Sequence, residues 1–449
     1  MGKRLFGTDG IRGVAGSPPL DPVTVTALGI ALGDDLARPG RSTVPPGPVL
    51  IGMDTRESGP AIAAQLADGL RRSGLATRFA GVITTPGVAY LTRTGEFSAG
   101  VMISASHNPF EDNGLKVFSS TGFKLPDSDE HDIEEEIFRI FADVVPSEDL
   151  RPLDIDYDLR PYLDFLLASV RVPLTGRKIV VDCGNGAASA LAPALFREAG
   201  AEVIAISNEP NGRNINLNSG ALHVETLRET VLATGADAGV AFDGDADRAI
   251  LISPLGRVVD GDATMLIAAR RMLADGRLKG NIAVSTVMAN LGLEKALARL
   301  RVEMVRTPVG DKYVLEEMVR LNASLGGEQS GHIIFRDFAT TGDGMLTALQ
   351  LLETTVLEGK TLDELAADLT VYPQLLVNVR VTERKPLDQL PLVQAAIRAC
   401  ETALQGTGRV LVRFSGTEPL ARVMVEAADI EAVEAWANRI AATIRAELT

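Results

Sequence analysis

The 449 residues exceed what a single hydrophobic core organises and predict about three or four domains. Apolar residues make up 46% of the chain and charged residues 23%, a globular composition, and no apolar run approaches the roughly 20 residues of a membrane span. A net charge of −15 argues against nucleic acid as a partner, but allows a small anionic substrate wherever cations are concentrated locally.

The opening MGKRLFGTDG has two basic residues and no apolar h-region, and Phe6 stands where a myristoylation signal needs Ser or Thr. No secretory or lipid address is therefore expected, and the predicted location is cytoplasmic. Cys183 and Cys400 have no metal or redox spacing and read as two buried thiols. FGTDGIRG, residues 6–13, precedes the first strong strand and supplies Arg12.

PVLIGMDT, ATRFAGVITT and AGVMISAS read as strands, with a helix over 59–74 between the first two. KIVVDCGNG, EVIAISN and AGVAFDGD repeat the scheme, with helices near 190–199 and 224–233. NIAVSTVMA, VEMVRTPVG and ASLGGEQSG do so a third time. Buried strands separated by helices imply βαβ units, and three units of similar size hint at internal triplication. The last eighty or so residues differ. LLVNVRV alternates with period two, and is followed by a helix over 387–404, the strands RVLVRF and ARVMVEA, and a final helix. That helix places Ile430, Val433, Trp436, Ile440 and Ile444 on one core face, with Asp429 as N-cap. The expected architecture is α/β, with three similar mixed-sheet domains and a C-terminal βαββα domain. Boundaries are expected in the Pro- and Asp-rich stretch 144–158, in the turn at 253–256 and near Tyr372, giving domains 1–155, 156–255, 256–371 and 372–449.

Four loops carry chemistry. AGVMISASHNPFEDNG mounts Ser106 at the end of a buried strand, in a turn stiffened by Pro109, with His107 beside it and Lys116 ten residues on. FDGDADR ends another strand with Asp243, Asp245 and Asp247. Three such carboxylates repel one another unless a cation sits among them, and hard oxygen ligands select Mg²⁺ or a similar ion. An EF-hand would need Glu where Pro254 stands, and a haloacid-dehalogenase motif would need Thr or Val where Asp247 stands. Arg248 adds a cation where phosphate oxygens would lie. In GGEQSGH, Glu328 and Ser330 are suited to holding adjacent sugar hydroxyls, and His332 is grouped with them. In RFSGTE, Ser415, Gly416 and Thr417 offer N–H groups and hydroxyls, with Arg413 and the nearby Arg422 as cations, a phosphate cradle. The GNG at 184–186 lacks the third glycine of a dinucleotide fingerprint, since Ser189 stands there.

In this order the loops resemble the α-D-phosphohexomutase superfamily over essentially the whole chain, with TTGDG at 340–344 and RVMVE after the last loop adding to the likeness. Phosphomannomutase/phosphoglucomutase members usually carry Gly-His where this chain has Gly310 and Asp311, and Met where it has Gln329. Both departures favour the amino-sugar branch, with the phosphomannomutase/phosphoglucomutase activity on hexose phosphates as the alternative. The resemblance implies four domains around a central cleft and a mobile fourth domain. It implies Ser106 carried as phosphoserine, and one Mg²⁺ held by Asp243, Asp245, Asp247 and a phosphoserine oxygen. Ala246 replaces a frequent Gly, a change expected to be harmless unless that residue needs positive φ.

The expected reaction interconverts glucosamine 6-phosphate and glucosamine 1-phosphate through a 1,6-bisphosphate, feeding UDP-N-acetylglucosamine and cell-wall synthesis. Arg12, Lys116 and Arg248 offset the charge of the transferring group, with Lys116 the first candidate for acid–base work and His107 the second. Arg413, Ser415, Gly416, Thr417 and Arg422 bind the non-reacting phosphate. Homodimerisation and the source of the first phosphate, an activating kinase or a bisphosphate activator, stay open. A non-catalytic phosphosugar sensor and a phosphatase with an Asp nucleophile are the competing classes.

Overall fold

A computed structural model describes residues 5–7, 9–38, 46–383, 385–414 and 419–448. The chain divides into two compact units, Met1–Val287 with Met304–Ala366, and Met288–Glu303 with Ala367–Thr449.

The first unit contains three mixed sheets built on one plan. In the first sheet, Val49–Met53 lies between Thr77–Val82 and Ala99–Ile103, parallel to both, and Asp112–Ser119 is antiparallel to Ala99–Ile103. In the second, Lys178–Asp182 lies between Glu202–Ile206 and Ala238–Phe242, parallel to both, and Ala249–Ile252 is antiparallel to the latter. The third has the same order. Ile282–Thr286 neighbours Glu303–Thr307 and pairs in parallel with Leu325–Gly327, which pairs antiparallel with Ile333–Phe335. This shared strand order supports the triplication that the sequence hints at. It also puts three of the four motifs in one topological place, the loop between the third and fourth strands.

Burial explains why the third strands form. All five residues of Ala99–Ile103 and of Ala238–Phe242 are buried, covered by helices on both faces. In the first repeat, helices Pro22–Leu36 and Gly59–Arg72 cross at Gly29 and Gly69. A Cβ on either glycine would come within 2.9 Å of the other's Cα, so the backbones touch. Asp21 caps the first of these helices, accepting from the N–H groups of Val23 and Thr24.

The fourth strands, and the edge strands Phe6–Gly7, Gly10–Val14 and Val258–Val259, are additions to the sequence reading. One of them moves a boundary. The turn expected to end the second domain is a hairpin, in which Val258–Val259 pairs back on Ala249–Ile252, so the second sheet runs through Val259. No helix among the described residues is long and apolar enough to cross a membrane.

The second unit holds a three-stranded antiparallel sheet, with Leu420–Ala427 between Gln374–Arg380 and Gly408–Phe414. Helices Pro391–Ala403 and Ile430–Leu448 complete the expected βαββα order. Asp429 caps the last helix through the N–H of Glu431. Val433, Ile440 and Ile444 are buried in the core, but Ile430 is 48% exposed and Trp436 is only half-buried against it. Ile430 lies at the first turn, before the helix has reached the sheet. Both cysteines are buried and free.

Candidate active site

Ser106 follows its strand by three residues and has φ of +53°, a left-handed conformation that a non-glycine residue holds only under constraint. The constraint is Arg56, whose guanidinium is fully buried beneath the loop. It donates to Asp54 at 2.9 Å and to the carbonyls of Ser106 at 2.9 Å, Asn108 at 2.9 Å and Asp112 at 3.0 Å, with a further bond to Pro109 O. Asn216, from the second repeat, donates to Ser106 O at 2.9 Å, and the Ser106 N–H donates to Ser104 Oγ at 3.0 Å. The serine loop is therefore held by its backbone, leaving the buried hydroxyl free for partners outside the loop.

That hydroxyl donates to Asp243 Oδ2 at 2.6 Å. Asp243, Asp245 and Asp247 are buried, and each offers an oxygen within 4.8 Å of the others. Asp245 Oδ2 accepts from Lys116 Nζ at 2.7 Å and from the Thr85 hydroxyl, whereas Asp245 Oδ1 and Asp247 Oδ1 are buried without a hydrogen bond among the described residues. Burial, with Asp247 and Asp245 as neighbours, raises the pKa of Asp243 well above the carboxylate range. The unpartnered Asp245 Oδ1, among three buried carboxylates whose oxygens converge, fits a divalent cation with oxygen ligands.

Lys116, the first acid–base candidate of the sequence, is buried on the fourth strand of the first repeat. Burial disfavours its charge, but Asp245, Asp9 and Asp247 outweigh burial and raise its pKa well above the ordinary lysine value. Asp9, absent from the sequence reading, accepts from Lys116 at 3.1 Å and also pairs with Arg12 and Lys124. The Arg12 guanidinium reaches Ala105 O at 3.5 Å, at the root of the serine loop. His107 Nδ1 lies 3.4 Å from Ser106 Oγ and 3.4 Å from the Arg248 guanidinium. Burial first, and then the cations Arg248 and Arg12, lower its pKa to about 4, so the ring is neutral near pH 7.

Glu328 begins the corresponding loop of the third repeat, and its Oε1 accepts from Gly310 N at 3.1 Å. Ser330 is exposed on that loop. His332, grouped with the sugar-contacting residues in the sequence reading, lies elsewhere. It is 2% exposed, with Nδ1 3.5 Å from Asp247 Oδ1 and Nε2 accepting from Gly342 N at 3.0 Å. With Nε2 accepting, the ring proton sits on Nδ1, on the side of Asp247, so His332 supports the aspartate cluster rather than facing a ligand. Ala246 has φ of +55°, the one condition under which its methyl is not harmless.

In the second unit Arg413 and Arg422 stand directly opposite on paired strands. Burial and the facing Arg422 lower the pKa of Arg413. Ser415, Gly416 and Thr417 lie outside the described residues.

Family models for phosphoglucomutase/phosphomannomutase match along the chain: alpha/beta/alpha domain I at residues 3–143, domain II at 160–256, domain III at 260–372 and the C-terminal domain at 376–443. The chain belongs to this family, the α-D-phosphohexomutases. It is 60% identical to a phosphoglucosamine mutase of Solibacter usitatus over 452 aligned positions, covering all of both chains. It is 50% identical to another from Koribacter versatilis, covering 99% of this chain and 97% of that one. Its fold resembles a phosphoglucomutase/phosphomannomutase family protein of Burkholderia thailandensis, with TM-score 0.79 at 23% identity, covering 98% and 97% of the two chains. It also resembles an Aspergillus fumigatus N-acetylphosphoglucosamine mutase solved with GlcNAc-6P and magnesium, with TM-score 0.68 at 20% identity, covering 99% and 96%.

Proposed function

We propose that this chain interconverts glucosamine 6-phosphate and glucosamine 1-phosphate, with Ser106 as the phosphoryl carrier. The observation that carries the reading is the 2.6 Å contact between the Ser106 hydroxyl and the aspartate cluster, in a chain 60% identical to a phosphoglucosamine mutase along its whole length. Asp243, Asp245, Asp247 and an oxygen of Ser106 or its phosphate would hold one Mg²⁺, which when bound supplies charge neutralisation beside the transferring group.

The chain's own groups account for the rest. A free sugar hydroxyl attacks the phosphorus of phospho-Ser106. The new oxygen–phosphorus bond forms as the Ser106 Oγ–phosphorus bond breaks, giving a 1,6-bisphosphate. Neutral His107 takes the hydroxyl proton, and Lys116, held as an ammonium, donates to the departing serine oxygen. This assignment exchanges the order of the two acid–base candidates, because the carboxylates around Lys116 make it a poor acceptor. Arg12 and Arg248 offset the charge of the transferring group, and Glu328 and Ser330 hold the sugar. Arg413 and Arg422, with Ser415, Gly416 and Thr417, grip the phosphate that is not reacting. The intermediate then turns over, and Ser106 takes back the other phosphoryl group. The reading places the enzyme in the cytoplasm and leaves the first phosphate to a bisphosphate or a kinase.

Coupled assays with the 6-phosphates of glucosamine, glucose and mannose test the substrate. The proposal expects the highest kcat/KM with glucosamine 6-phosphate. A preference for glucose or mannose 6-phosphate makes the chain a phosphomannomutase/phosphoglucomutase instead.

A further inference from the structure

Four charged side chains of alternating sign run from the first repeat to the third. Lys116 Nζ is 3.1 Å from Asp9 Oδ2, Asp9 Oδ1 pairs with Lys124 Nζ, and Lys124 Nζ is 2.6 Å from Asp311 Oδ2. Asp9, Lys124 and Asp311 retain 24%, 15% and 19% side-chain exposure, too little for water to replace a lost partner, as it does for exposed pairs.

Both ends of the row are anchored to the site. Lys124 follows the strand Asp112–Ser119 that carries Lys116, and its backbone folds back to bridge Phe118. The neighbouring Leu125 N–H donates to Val117 O at 3.2 Å. At the other end, Asp311 opens the helix Asp311–Leu321, and the preceding Gly310 N–H donates to Glu328 Oε1. Lys124 thus lies between the group facing the aspartate cluster and the group assigned to the sugar, touching neither.

We propose that Lys124 is a positioning residue for the mutase reaction, fixing Lys116 through Asp9 and the Glu328 loop through Asp311. The role rests on the mutase reading above. With Lys124 neutral, Asp9 has one cation fewer and draws on Lys116 and Arg12 instead, shifting the lysine from the carboxylates it bridges. A misplacement of about 1 Å in such a site costs about 100-fold in rate.

The test is steady-state kinetics of wild type, Lys124→Met, Lys124→Arg, Asp9→Asn and the Asp9→Asn/Lys124→Met double variant, each on the sugar phosphate that wild type turns over best. Expected are a kcat drop of about 10- to 100-fold for Lys124→Met, recovery to within about threefold of wild type by Lys124→Arg, and a double variant no worse than the poorer single one. A kcat for Lys124→Met within twofold of wild type overturns the role, as does full additivity with Asp9→Asn. Asp311→Asn keeps the Asp9–Lys124 pair and covers the case in which Lys124→Met does not fold. It is expected to raise KM at least fivefold with kcat within about threefold, a split that general loosening does not produce, and an unchanged KM overturns the role. Wild type that turns over none of the three sugar phosphates overturns the mutase reading itself, and this role with it. Wild-type turnover with an unaffected Lys124→Met overturns the positioning role alone.

Discussion

Ser106 and Asp243 are 137 residues apart, yet the serine hydroxyl donates to the aspartate at 2.6 Å. Each sits in the loop between the third and fourth strands of its own repeat, so one strand plan, used twice, brings the two loops face to face. Gly244 makes the approach possible. A Cβ there would lie 2.4 Å from Ser106 O and 2.9 Å from Asn216 Nδ2. Gly244→Ala is therefore expected to separate the loops and lower kcat about 100-fold while the chain still folds, as circular dichroism would show. A kcat within threefold of wild type contradicts the close-approach argument.

Arg56 satisfies several carbonyls of the serine loop with one planar fork, a geometry an ammonium cannot copy. Replacing it by Lys leaves buried acceptors and Asp54 short of partners. Urea unfolding should show a loss of about 1–3 kcal/mol, the range for leaving buried hydrogen-bonding groups without partners. A loss below about 1 kcal/mol would mean that the loop is held by something else.

Ala246 is fully buried and left-handed at φ +55°. Left-handed backbone costs an L-residue about 1–2 kcal/mol, and glycine's extra freedom in the unfolded chain returns about 0.4–1 of it. Ala246→Gly should therefore raise unfolding stability by up to about 1.5 kcal/mol. A destabilised variant would show that the methyl's packing outweighs the strain.

Asp343 caps the helix Gly344–Glu358 by accepting from Leu346 N, and its other oxygen accepts from the Tyr162 hydroxyl at 2.8 Å. Burial pushes its pKa up to about 6, against those two hydrogen bonds. Between the ordinary value of 3.8 and about 6, the unfolded chain has released this proton while the native state keeps it. The contribution is thus fully present below 3.8 and is lost as pH rises through 6, a change on the order of 3 kcal/mol. Asp343→Asn keeps a capping oxygen and removes the titration. Stability measured from pH 4 to 7 should fall less steeply in that variant, and an unchanged slope contradicts the assignment.

The motifs were legible because their residues are packed into short loops: DGDADR puts three carboxylates and a cation within six positions. The plan of three βαβ units was legible from short apolar runs alternating with helical patterns. Arg56, Asp9, Lys124 and Asn216 were not, because partners that tie them to the site arrive from distant segments. Lys116 had a usable signal, a lysine inside the apolar run GLKVF, where a strand buried on both faces forces any charge to find carboxylates. Two of the three fourth strands were missed for their shortness, four residues at Ala249–Ile252 and three at Ile333–Phe335, too few to show a period.

The most direct test of the account is intact mass spectrometry with site mapping, on protein incubated with Mg²⁺ and glucosamine 1,6-bisphosphate. The account predicts one added phosphoryl group, located on Ser106 and absent from Ser106→Ala, whose turnover is lost. Protein that stays unmodified, or a Ser106→Ala variant with full mutase activity, contradicts it.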